Sequence, residues 1–146
     1  MGFVYLSPTK EENKVSIVDR AEKELVDYIK SMKEPVEVTG NHYHYNQKCH
    51  MNSVHYARVN KESKIAMLIY IDGISPVVHF VNVDCAGNFL CNTLGTFIAD
   101  YDCYFIRYIK EAEFDSINTI FEQAIEEMKK QLSWWTRLWI GEKRFC

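Results

Sequence analysis

Four apolar segments follow one another between residues 65 and 109, and they restrict the fold more than any other feature of the chain. Ile65–Ile71 is a dense run of β-branched and large apolar residues that stops at Asp72-Gly73. Val77–Val83 alternates. Asn88–Leu94 alternates again after the turn Asp84-Cys85-Ala86-Gly87, and Cys103–Ile109 closes the series after Asp100-Tyr101-Asp102. Short segments rich in β-formers and bounded by Gly- and Asp-bearing breaks read as strands. Their close spacing leaves little room for crossover helices, so an antiparallel meander is expected.

Helical periodicity flanks the strands. Ile17, Ala21, Leu25, Tyr28, Ile29 and Met32 recur at helical spacing over Ser16–Lys33, and Pro35 ends the pattern. Val36–Val38 reads as extended. A short helix is expected from Cys49 to Asn60, with Met51, Val54, His55 and Arg58 on one face. A long one runs from Asp115 to Ile140, capped by Asp115 or Ser116 and stopped by Gly141. Its buried stripe is Ile117, Ile120, Phe121, Ala124, Met128, Leu132, Trp135 and Trp139. Phe3–Leu6 reads as a short strand. The pattern predicts one α+β domain over 1–146, with about four or five antiparallel strands packed against helices. A chain of 146 residues buries a core of useful size without disulfide staples.

Charge and cysteine usage narrow the function classes. The net charge is −3 and no dense Lys/Arg cluster occurs, which disfavours nucleic acid as a partner. The N-terminus Met1-Gly2-Phe3-Val4-Tyr5-Leu6 lacks the basic and apolar regions of a signal peptide. No apolar run approaches the roughly 20 residues that cross a bilayer. A cytoplasmic location is the expectation. The five cysteines, Cys49, Cys85, Cys91, Cys103 and Cys146, are odd in number and form no CxxC pair. That spacing argues against a disulfide framework or a four-cysteine zinc site and leaves most of them as small core residues.

Cys49 stands out because it falls where a polar loop gives way to a helical pattern. Helix N-termini favour negative charge, which suits a nucleophilic thiolate. His79 is the candidate base, since alternation places it with Val77, Val81 and Val83 on a face expected to meet the Cys49–Asn60 helix. A four-residue loop Asp84–Gly87 pairs Val83 with Asn88, Val81 with Leu90 and His79 with Asn92. Asn92 then orients the imidazole, whereas a slip of one residue puts Cys91 or Thr93 there.

Cys49-His50-Met51-Asn52-Ser53 resembles the Cys-His-x-Asn-(Ala/Ser) helix start of small phage proteins related to papain-like cysteine hydrolases, including the NlpC/P60 and transglutaminase-like groups. The resemblance covers about residues 45–109. It implies a papain-like core and the order Cys on a helix, His on a strand, Asn or Asp on the next strand, matched by Cys49, His79 and Asn92. Two departures stand out: His79-Phe80-Val81 replaces the usual His-Ala-Trp, and Cys91-Asn92-Thr93 replaces Asp-Pro-Thr. The backbone N–H of Cys49 and the Gln47 side chain are the expected oxyanion donors. The implied reaction is attack of Cys49 on a peptide, amide or other acyl carbonyl, with His79 as base and then acid. It requires no metal or organic cofactor.

Other readings stand beside this one. A phage-type inhibitor or binding protein on a degenerate hydrolase fold would use the tyrosines Tyr43, Tyr45, Tyr56, Tyr101 and Tyr104 at an interface with a host protein. His42, His44, Cys49 and His50 carry metal-ligating atoms. Trp134, Trp135 and Trp139 suit core packing, or docking to a partner or a membrane surface. Glu122–Lys130 reads as a solvated helix face.

Overall fold

The computed structural model describes residues 10–130, with side chains from residue 19 onward and Lys129 excepted. The expected strand at Phe3–Leu6, the final helix beyond Lys130, its three tryptophans, the stop at Gly141 and Cys146 lie outside the described residues.

In chain order the elements are α1 (Lys10–Met32), β1 (Pro35–Val36), β2 (Val38–Gly40), α2 (Cys49–Val59), β3 (Lys64–Asp72), β4 (Ser75–Val83), β5 (Phe89–Cys91), β6 (Asp102–Ile109) and α3 (Ile117–Lys130). Short 3-10 helices at Gly95–Asp100 and Glu111–Ser116 flank β6. The first helix starts earlier than its apolar stripe suggested. The last starts at Ile117 because the chain first makes the 3-10 turn, where the Glu113 carboxylate accepts the Lys110 N–H (2.8 Å) and is gripped by Arg107 (3.1–3.2 Å).

The fold is α+β, but the sheet has six strands rather than four or five, and it is mixed. The order is β1-β6-β3-β4-β5-β2, antiparallel throughout except that β2 runs parallel to β5. The two added strands come from the single stretch that looked merely extended. β1 and β2 lie on opposite edges of the sheet yet are separated in sequence by Glu37 alone. Two Cα–Cα steps span at most about 7.6 Å. The sheet therefore curls until its two edge strands, which do not pair with each other, come close together.

A curled sheet has an inside and an outside, and both are buried here. Ala66 and Leu68 of β3, Val81 and Val83 of β4, Cys91 and Cys103 point inward, with Ile98 of the first 3-10 helix packed among them. Ile65, Met67, Ile69 and Ile71 of β3 and Val78 and Phe80 of β4 point outward, against Leu25 and Ile29 of α1, Val54 and Ala57 of α2, and Ile120 and Met128 of α3. Burial on both faces accounts for the unbroken apolar run of β3. The wall next to β2 is completed by the loop before α2. Asn41 and His42 donate to the Cys91 carbonyl (2.9 and 3.1 Å), His44 donates to Thr93 (2.9 Å), and Gly95 donates back to His42 (2.9 Å). Gly40 must be glycine for this contact, because any Cβ there would run into the backbone of Gly95 and Thr96.

Among the described residues, no helix is long and apolar enough to cross a membrane.

Candidate functional site

Cys49 is the first residue of α2, as its position in the sequence suggested. Its thiol is 7% exposed and belongs to the core between sheet and helices. Burial pushes the thiol up to about 11, while backbone hydrogen bonds from Phe80 and His50 pull the other way without prevailing. At neutral pH the sulfur is therefore a protonated thiol. The helix-end field expected to favour a thiolate is outweighed by desolvation.

His79 sits on the other side of its strand. Along β4, Val78 and Phe80 point to the helices, so His79 and Val81 point into the curl. The ring is 3% exposed, stands edge-on to Tyr70 (5.3 Å, 83°), and brings Nε2 to 3.2 Å from Cys91 Sγ. Its partner is thus Cys91 rather than Cys49. The Cys91 sulfur also accepts the Leu94 N–H at 3.3 Å. Burial lowers the His79 imidazole to about 4 and raises the Cys91 thiol, so the pair is neutral at pH 7. The expectation that α2 packs on the histidine face is corrected. Both faces of β4 are apolar, and Phe80 takes the helix side.

The β4–β5 register is corrected with it. Val83 pairs with Phe89 and Asn82 with Leu90, so the loop holds five residues, Asp84–Asn88, instead of four. The Asp84 carboxylate fixes that loop by accepting the N–H groups of Ala86 (3.0 Å) and Asn88 (2.9 Å), and Gly87 supplies the positive φ of 87°. One residue of slip exchanges the faces of a strand. It carries Cys91 inward to His79 and moves Asn92 away.

Asn92 accordingly does not orient the imidazole. It donates to Asn82 Oδ1 (2.7 Å) and accepts from Asn41 Nδ2 (2.8 Å). Asn82 passes the chain on to the Ser53 carbonyl of α2 (3.0 Å), and Ser53 Oγ donates to the Phe80 carbonyl (3.0 Å). Asn52 donates to Thr93 Oγ1 (3.1 Å) and exchanges amide bonds with Asn46 (3.0 and 3.1 Å). These residues form a polar seam between α2, β4 and the loops, and among the described residues no buried side-chain nitrogen or oxygen lacks a partner. Sequence reasoning overlooked Asn82, although an asparagine inside a valine run was the available signal that a buried polar partner must exist. Asn82→Ala strands the Asn92 amide and removes the second donor to the Ser53 carbonyl, which keeps its bond within α2. It is expected to destabilise the fold by about 1–3 kcal/mol in urea titrations.

Gln47, the expected oxyanion donor, is exposed and takes a positive φ of 53°, unusual for a residue with a side chain. His50 stacks on Phe121 (5.2 Å, 13°), with burial lowering its imidazole and an Asn118 hydrogen bond opposing that shift. Among the described residues no group of three or more His, Cys, Asp or Glu side chains is placed to hold a metal ion.

No family model, no curated protein and no solved structure matches this chain.

Tyr43 and Tyr45 of the loop before α2 and Phe97 of the first 3-10 helix form a surface cluster, with ring separations of 5.0 Å (Tyr43–Tyr45) and 6.0 Å (Tyr43–Phe97). Tyr45 is 90% exposed and Phe97 61%. The ladder from Asn41 to Gly95 holds the loop that carries Tyr43. Of the other tyrosines singled out, Tyr104 is buried, and Tyr101 packs on Tyr70 (4.8 Å). Phe97 escaped the sequence reading because nothing local marks an exposed phenylalanine.

Proposed function

We propose that this protein acts by binding another protein, on a scaffold resembling that of papain-like hydrolases but without their thiolate chemistry. The observation that carries this reading is the 3.2 Å contact between His79 and Cys91 on the inside of the sheet, with Cys49 on the helix side. A nucleophile needs its base within hydrogen-bond reach. Here each candidate group is neutral and buried. The rest of the Cys-His-x-Asn-Ser motif has structural employment: His50 stacks, and Asn52 and Ser53 tie α2 to its surroundings.

The contact surface is the Tyr43–Tyr45–Phe97 cluster. Exposed aromatics gathered on a held backbone offer large apolar area at little entropic cost, the composition that distinguishes protein interfaces. The partner is a protein surface with an apolar depression that admits the Tyr45 and Phe97 rings. A host protein fits this description if the chain is phage-encoded, and a cytoplasmic location accords with it.

Thiol alkylation with peptide mapping tests the reading. From pH 6 to 9, exposed Cys85 is expected to react at an ordinary thiol rate, and Cys49, Cys91 and Cys103 far more slowly than in the urea-unfolded chain. If Cys49 instead outpaces Cys85 at pH 6, and His79→Ala abolishes that advantage, the chain is a thiol hydrolase and the binding proposal fails.

A further inference from the structure

A cavity of about 620 Å³ opens on the helix side of the sheet. Met67 and Ile69 of β3 form its floor, Leu25 and Ile29 of α1 one wall, and Ile120 and Met128 of α3 the other. Its size and apolar lining are those of a binding pocket. Tyr28 and Met32 stand at its mouth 44% and 65% exposed, although they belong to the same apolar stripe of α1 as buried Leu25 and Ile29. An amphipathic helix whose stripe is half covered lacks a partner along the other half.

We infer that the occupant of this cavity is the chain's own segment 131–146. That segment begins directly after Lys130, and Met128, two residues earlier, is already part of the cavity wall. It contains Leu132, Trp134, Trp135, Leu138, Trp139 and Ile140, six apolar residues in nine positions. Leu132, Trp135 and Trp139 extend the spacing of the α3 residues that line the cavity, Ile120, Ala124 and Met128. A segment joined to the cavity wall is held at high effective concentration, so it outcompetes a free apolar ligand of equal intrinsic affinity. Filling the cavity covers Tyr28 and Met32 and completes the helix-side core. This inference is independent of the proposed binding role, whose surface lies on the Tyr43–Phe97 loops.

The sequence supplies its own reporter. All three tryptophans fall within 134–139, so tryptophan emission reads this segment and nothing else. In the full chain the emission is expected to lie to the blue of the urea-unfolded protein, to resist acrylamide quenching, and to stay unchanged on dilution. Ala124→Phe projects a ring into the cavity without adding a charge or a tryptophan. It is expected to shift the emission to the red and restore quenching while far-UV circular dichroism is retained. Met32→Glu, at the exposed mouth, gives the same readout if Ala124→Phe does not fold. Emission matching the unfolded chain would overturn the inference. So would a blue shift that both variants leave intact, or one lost on dilution, which would assign the cover to a second copy.

Discussion

Phe80→Ala is expected to lower the unfolding free energy by about 3–5 kcal/mol, the range for deleting a large buried aromatic. Phe80 is fully buried in the middle of β4, where the sheet meets α2 and α3. Its ring lies 6.2 Å from Phe121 (55°) and 6.4 Å from His50 (67°). Its carbonyl accepts Ser53 Oγ, and its backbone hydrogen-bonds the Cys49 thiol. The cavity left by alanine is ringed by elements fixed through their own hydrogen bonds, so collapse around it is limited. Urea titration with an unchanged m-value measures the loss. The same variant opens the surroundings of Cys49, which should alkylate faster than in the parent. A loss under about 1 kcal/mol would mean that α2 does not lean on this ring.

The second large effect is a fall in stability on acidification. The folded protein holds His79 at about 4, against an ordinary value of 6.5, because burial disfavours the imidazolium. Between these values the unfolded chain binds a proton that the folded chain refuses, so stability rises with pH across the window. The His79 contribution is therefore undiminished above about pH 6.5. It declines as pH drops through 6.5 toward 4 and stops changing below that. At about 1.4 kcal/mol per unit the total loss is about 3 kcal/mol. His50 is shifted in the same direction by its burial and steepens the fall. His79→Leu removes the titrating group at similar volume and should flatten the stability profile between pH 4 and 6.5. Denaturant titrations at half-unit intervals read both curves. A parent profile as flat as that of the variant would show that His79 titrates normally and is not sealed inside the sheet.

Both expectations rest on facts that differ in how visible they were in the sequence. The helix at Cys49 was legible in the residue pattern, and so were the strands near Ile65–Ile71, Val77–Val83 and Cys103–Ile109. Periodicity and turn residues act within a few positions, so a single stretch of chain suffices to specify them. The pairing partners of Val36 and Val38 were not legible. Whether two neighbouring residues join opposite edges of a sheet depends on how far the whole sheet curls.

What the sequence determined by itself was the order of the helices α1 and α2, the four strands β3 to β6 and the start of α3, and the placement of Cys49 at the front of a helix with His79 on a strand. What the tertiary structure decided was facing and register. β4 is apolar on both faces, so alternation separates His79 from Phe80 without saying which of them meets α2. Loops of four and five residues between β4 and β5 are equally plausible locally, yet the extra residue sends Cys91 to His79 and Asn92 to Asn82. A side-chain period of two turns one residue of slip into an exchange of faces. That exchange is settled by long-range packing: Phe80 fills the helix-side core, and Asn82 finds its amide and carbonyl partners beneath α2.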